Sequence, residues 1–129
     1  MRCAIYMRVS TEGQTIEPQK LELDAFLVSK SWVNSGVFSD TISASSEARP
    51  GLDALMAELV EKKHDVVAVV KLDRLARSLV HFLRIVADFE RLGLALVCTS
   101  QGIDTIKGNA CGRLRMNVLS AVAEFERVS

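Results

Sequence analysis

The sequence predicts a doubly wound α/β fold, a mostly parallel sheet of four or five strands flanked by helices, and three observations predict it. Short β-branched apolar runs alternate along the chain with segments of helical apolar period, the signature of βαβ units. The run Val66–Val70, VVAVV, has no polar face, as a strand covered on both sides of a parallel sheet requires. The chain has 129 residues, 49% of them apolar and 25% charged, enough for one domain with its own core and too apolar for disorder.

In order, residues Cys3 to Val9 read as the first strand, followed by the polar turn at 10–14. Pro18 favours a helix start, and Leu21, Ala25 and Val28 are expected to form the inward face of a helix reaching about Ser31. Val33 to Ser39 is a short second strand. The stretch Asp40 to Gly51, rich in small hydroxyl residues, is expected to be a mobile surface loop. Leu52, Leu55, Met56, Leu59 and Val60 recur at helical spacing. After the central strand at 66–71, Leu75, Leu79, Phe82, Val86 and Phe89 mark a long helix stopping near Gly93. Ala95 to Thr99 is a fourth strand, with a short fifth around Ile103 to Thr105. Asn109 suits the N-cap of a last, long helix running to the end of the chain.

Sixteen basic and sixteen acidic residues cancel, so bulk charge selects no partner. Their distribution is uneven: residues 1–70 carry −3 and residues 71–129 carry +3, and ten of the sixteen bases are arginine, the residue suited to bidentate phosphate contacts. The three cysteines, Cys3, Cys98 and Cys111, show no CxxC spacing, and the first two read as small apolar residues in the strands of a reduced protein. No apolar run approaches the ~18 residues of a membrane span, and no signal-peptide pattern opens the chain. A soluble, cytoplasmic protein is expected, with no membrane partner.

Function is expected where the central strand ends. Residues Lys71, Asp73, Arg74 and Arg77 follow it within seven positions, and in an open α/β sheet ligands bind outside the carboxyl ends of the strands. A helix starting at Asp73 would be capped by that carboxylate and would set Arg74, Arg77 and Ser78 on one face, a cationic site for phosphate. Ser10 ends the first strand at the same mouth, and Arg8, two residues earlier, points to the same side.

These pieces together closely resemble the catalytic domain of the serine recombinases, the resolvase–invertase family, across nearly all of residues 1–129. The matching segments are YMRVST at 6–11, Gln19, SASSEARPGL at 43–52, VKLDRLARS at 70–78 and LSAVAEFER at 119–127. The resemblance implies that Ser10 is the nucleophile and that Arg8, Arg49, Lys71, Asp73, Arg74 and Arg77 form the catalytic site, with Gln19 and Arg127 supporting it. It implies site-specific recombination of double-stranded DNA through a 5′-phosphoserine intermediate and a free 3′-hydroxyl, in a protein of bacteria, phages or mobile elements. Met7 stands where family members often carry a small residue.

The residue chemistry agrees with that implication. A serine hydroxyl can conserve phosphodiester energy in a covalent link. No acidic cluster or His/Cys arrangement suggests a metal, so no metal or cofactor is expected, and fixed cations must stabilise the pentacovalent phosphorane. Asp73, held ionised by neighbouring cations, suits an orienting role better than that of a base. No residue stands out as the base for Ser10. An acidic phospho-acceptor pocket, as in a receiver domain of similar topology, is absent from the first strand's end.

In the last helix Leu114, Val118 and Phe125 lie on one apolar stripe, with further apolar residues beyond it. The resemblance assigns this helix to a homodimer interface and, in the synaptic complex, to a tetramer. Family members continue into a helix-turn-helix domain, so the chain as given is expected to bind DNA weakly and without sequence specificity. Two functions are compatible with these features: the strand-exchanging catalytic domain, and a silent oligomerisation module that pairs with full-length recombinases. The full set of arginines favours the first.

Overall fold

The computed structural model describes residues 1–9, 15–41, 49–76, 78–106, 113, 117, 118 and 121. Among them are five strands, β1 (Arg2–Val9), β2 (Val33–Thr41), β3 (Val66–Val69), β4 (Ala95–Cys98) and β5 (Ile103–Asp104). Four helices accompany them: α1 (Glu17–Lys30), α2 (Pro50–Val60), α3 (Leu72–Leu75) and α4 (Leu79–Leu92). The sheet order is β2-β1-β3-β4-β5, with β2, β1, β3 and β4 parallel and β5 antiparallel to β4. The doubly wound, mostly parallel sheet expected from the sequence is therefore observed. No described helix is long and apolar enough to cross a membrane.

Two cores lie on opposite faces of this sheet because strand side chains alternate. Ala4, Tyr6, Val67, Val69 and Leu96 pack against Leu52, Leu55 and Leu59 of α2 and Phe82, Val86 and Phe89 of α4. Cys3, Ile5, Met7, Val66, Ala68 and Val97 pack against Leu23 and Leu27 of α1. Both faces of β3 are fully buried, which is why its sequence shows no polar alternation. Val66–Val69 ends two residues short of the expected strand.

Four expectations need correction. The inward face of α1 is Leu23 and Leu27, whereas Leu21 and Val28 are exposed. Residues 21, 23 and 25–28 are all apolar, so periodicity admits two stripes, and packing on the sheet selects the one that also brings Phe26 edge-on to Trp32. Val60, likewise, is exposed at the end of α2.

The helix expected from Asp73 to Gly93 is two helices. α3 is a single turn that stops at Ala76, whose backbone is extended. α4 starts afresh at Leu79, where the Ser78 hydroxyl accepts from the His81 N–H at 3.1 Å. Ser78 is thus a cap, off any shared face with Arg74. Gly93 ends α4 in the left-handed conformation at φ 72°, as expected.

β2 continues through Asp40 to Thr41, so the expected loop begins later. Its residues 42–48 lie outside the described residues. A bulge near Ser35 turns that hydroxyl to within 2.6 Å of Nδ1 of the buried His64, while His64 Nε2 lies 2.9 Å from Glu58. The pair of bonds satisfies a histidine at the start of β3, the end opposite to Lys71 and Arg74. Of the expected last helix, Arg113, Asn117, Val118 and Ala121 are helical, and the rest lies outside the described residues.

Candidate active site

The parallel order places β1 between β2 and β3, so the chain leaves β1 in one direction to β2 and returns on the other side to β3. This reversal is the switch point at which open α/β sheets bind ligands beyond the strand ends. β1 runs on from Ile5 to Val9 past its last pairing with β3, and α3 packs against the overhang. The ends of β1 and β3 are brought to one mouth in this way.

Gln19 secures the overhang. Its Nε2 donates to the Arg8 carbonyl at 2.7 Å, and its Oε1 accepts from the Arg8 N–H at 3.3 Å. The side-chain amide takes the place of a neighbouring strand and fixes the backbone that carries Arg8, itself half-buried. Beside it a hollow of 380 Å³ is lined by Val9, Thr15, Pro18, Gln19 and Arg74. The end of β1 and the arginine of α3 therefore share one cavity.

Arg49 precedes α2 and is buried, 5% exposed. The mobile loop expected over Asp40 to Gly51 implies a poorly ordered Arg49, or one displaced from Ser10, which lies outside the described residues; poor order is not what is found. Instead its Nη2 donates to the Tyr6 hydroxyl at 3.2 Å and to the Arg74 carbonyl at 3.1 Å, with the guanidinium 5.8 Å from the Tyr6 ring centre. The start of α2 is anchored because Pro50 presets its first turn and Gly51 lets it close on β2. A Cβ at Gly51 would lie 2.3 Å from the Ser39 carbonyl oxygen. The Nε and Nη1 of Arg49 are buried and make no hydrogen bond among the described residues. A buried guanidinium with unused donors is suited to an incoming anion.

Tyr6 and Asp40 complete this arrangement, and sequence reasoning missed both. The Tyr6 hydroxyl donates to Asp40 Oδ2 at 2.7 Å. Asp40 also accepts from the Gly51 N–H (2.7 Å, Oδ1) and the Leu52 N–H (2.9 Å, Oδ2), so a carboxylate on β2 caps α2 from across the fold. Burial first, and then the bond to Asp40, raises the Tyr6 phenol well above its ordinary range. The phenol stays protonated and serves as a relay between carboxylate and guanidinium. The available signal was an acid at the end of a strand in which six of nine residues are small or polar, and it is also the signal of a loop.

Lys71 is exposed at the start of α3 and makes no side-chain cap there. Arg74 is half-buried in α3, and Asp73 belongs to the same turn, its side chain outside the described residues. Ser10, Arg77 and Arg127 lie outside the described residues, as do Leu114 and Phe125. Val118, expected at an interface, is half-buried against the α2–α4 side of its own core. Among the described residues no three His, Cys, Asp or Glu side chains cluster as metal ligands.

The sequence matches the family model "Resolvase, N terminal domain" over residues 3–129. It is 35% identical to a resolvase/recombinase of Pseudomonas putida, covering 99% of this chain and 66% of that one. It is 36% identical to the transposon Tn3 resolvase of Escherichia coli, covering 98% of this chain and 64% of that one. The chain thus spans less than two thirds of these relatives. Among solved structures, the N-terminal catalytic domain of TP901-1 integrase superposes with a TM-score of 0.80 at 35% identity, covering 98% of this chain and 97% of that one. A resolvase family site-specific recombinase from Streptococcus pneumoniae gives 0.78 at 31%, covering 98% and 88%.

Proposed function

Because the chain belongs to the serine recombinase (resolvase) family, we propose that it is the DNA-strand-exchanging catalytic domain of a site-specific recombinase. The observation that carries this reading is the buried Arg49, tied to Tyr6 and Arg74 with donors to spare at the mouth between β1 and β3.

In this mechanism Ser10, the residue after β1, attacks a phosphodiester of double-stranded DNA. The bond from Ser10 Oγ to phosphorus forms as the bond to the 3′-oxygen breaks, leaving a 5′-phosphoserine and a free 3′-hydroxyl. The proton lost by Ser10 balances the one gained by the leaving oxygen. Arg8, Arg49, Arg74 and Arg77, with Lys71, bind the phosphate and favour the phosphorane, whose extra negative charge they meet more strongly than the ground state. Asp73 orients the arginines, Gln19 holds the backbone of Arg8, and Arg127 supports the site from the last helix. After exchange, the 3′-hydroxyl of the other strand attacks phosphorus and releases Ser10.

The partners are DNA, a second copy of the chain and, at synapsis, four copies, in the cytoplasm of a bacterium. The test is cleavage of a duplex carrying a crossover site by the chain joined to a DNA-binding domain, with excess EDTA. Covalent protein–DNA adducts form undiminished if fixed cations do the work. Cleavage that requires Mg²⁺ contradicts the mechanism.

A further inference from the structure

α3 carries Lys71 at its start and Arg74 within it, yet it is a single turn with no side-chain cap of its own. An isolated turn of this length does not hold its shape, since nucleation fixes several dihedrals for one hydrogen bond. Something outside α3 must hold it. The Leu72 N–H, one of its free donors, is accepted by Oε1 of Gln101 at 2.9 Å, from the turn that follows β4.

That turn is itself fixed from two sides. The Thr99 and Ser100 N–H groups donate to the Val69 and Val70 carbonyls at 3.0 Å each, which extends the pairing of β4 with β3. The Thr99 and Ser100 hydroxyls donate to Glu22 Oε2 on α1, Ser100 at 3.0 Å. Glu22 lies one helical turn beyond Gln19, which holds Arg8. α1 therefore grips both sides, Gln19 holding Arg8 and Glu22 holding Thr99 and Ser100, and the adjoining Gln101 reaches Leu72.

We propose that Gln101 is a positioning residue: by accepting from the Leu72 N–H it sets α3, with Lys71 and Arg74, in register with the end of β1 that carries Arg8. The role presupposes the recombinase chemistry proposed above. It needs an acceptor at this position and no proton transfer, so a glutamate can replace the glutamine and a methionine of similar length cannot.

The test compares the unmodified chain with Q101M and Q101E, each joined to the same DNA-binding domain. Hydrogen exchange at the Leu72 amide and the rate of covalent adduct formation at saturating suicide duplex are measured for each. In Q101M, Leu72 exchange should quicken about tenfold. The adduct rate should fall about 10- to 100-fold, the scale of a small misplacement of catalytic groups. The half-saturating DNA concentration and the melting temperature should stay within about twofold and about 2 °C, and Q101E should restore both exchange and rate. A Q101M chain with unchanged Leu72 protection or unchanged adduct rate overturns the proposal, as does failure of Q101E to restore the rate. An unmodified chain that forms no adduct overturns the recombinase reading as well, and the Leu72 exchange then shows separately whether the clasp exists.

Discussion

The Tyr6 hydroxyl donates to the Asp40 carboxylate across 2.7 Å, joining the middle of β1 to the end of β2 inside the core. The same hydroxyl accepts from Arg49, and the same carboxylate closes the start of α2. One buried hydrogen-bonded group thus decides both where a helix begins and where a guanidinium rests.

Tyr6→Phe keeps the ring and removes that link, leaving Asp40 Oδ2 and Arg49 Nη2 each one partner short. The loss should cost about 1–3 kcal/mol in urea unfolding. Adduct formation should fall further than stability alone explains, because Arg49 is released from its place. Equal activity of the folded variant would detach Tyr6 from the site.

Much of this architecture was legible in the sequence. The β-branched run at 66–69 and the spacing of Leu52, Leu55 and Leu59 report burial directly, because apolar periodicity is imposed by the core. The Tyr6–Asp40–Arg49 group was not legible, because a buried acid is written in the same letters as a loop and only its partners distinguish them. The two faces of α1 were ambiguous for a related reason: both Leu21–Ala25–Val28 and Leu23–Leu27 obey helical spacing. The break at Ala76 was within reach, since Ser78 before Leu79 is a helix-start signal, but the apolar residues on either side continue one stripe across it.

The buried thiols give a pH dependence. Burial pushes Cys3 and Cys98 from 9.0 up to about 12, and burial with the bond to Asp40 raises Tyr6 in the same direction. These groups keep their protons in the folded chain above the pH at which the unfolded chain loses them. Their contribution is fully present below about pH 9 and is lost as pH rises from about 9 toward 12. Unfolding followed by denaturant titration should show falling stability over that window. Cys3 and Cys98 should also resist iodoacetamide at pH 8 until the chain is unfolded. Rapid alkylation of either in the native chain would contradict their burial.

The proposed assembly uses the last helix expected from the sequence, whose apolar stripe includes Phe125. Burying such a side chain gains roughly 1.5–3 kcal/mol. Sedimentation should show a concentration-dependent equilibrium between monomer and an isologous dimer in the micromolar range, and Phe125→Asp should shift it to monomer with an unchanged circular dichroism spectrum. Val118, half-buried against its own core, should contribute less to that equilibrium than Phe125. A chain that stays monomeric at high concentration would assign the whole helix to its own domain.

The central claim is that Ser10 becomes covalently joined to a DNA 5′-phosphate, and peptide mass mapping tests it most directly. The chain, joined to a DNA-binding domain, is incubated with a nicked suicide duplex, then digested with nuclease and protease. The predicted result is a nucleotide linked through its 5′-phosphate to the peptide that contains Ser10, absent from Ser10→Ala although that variant folds normally. A nucleotide on another residue, a 3′-phosphate link, or an adduct that persists in Ser10→Ala would contradict the account.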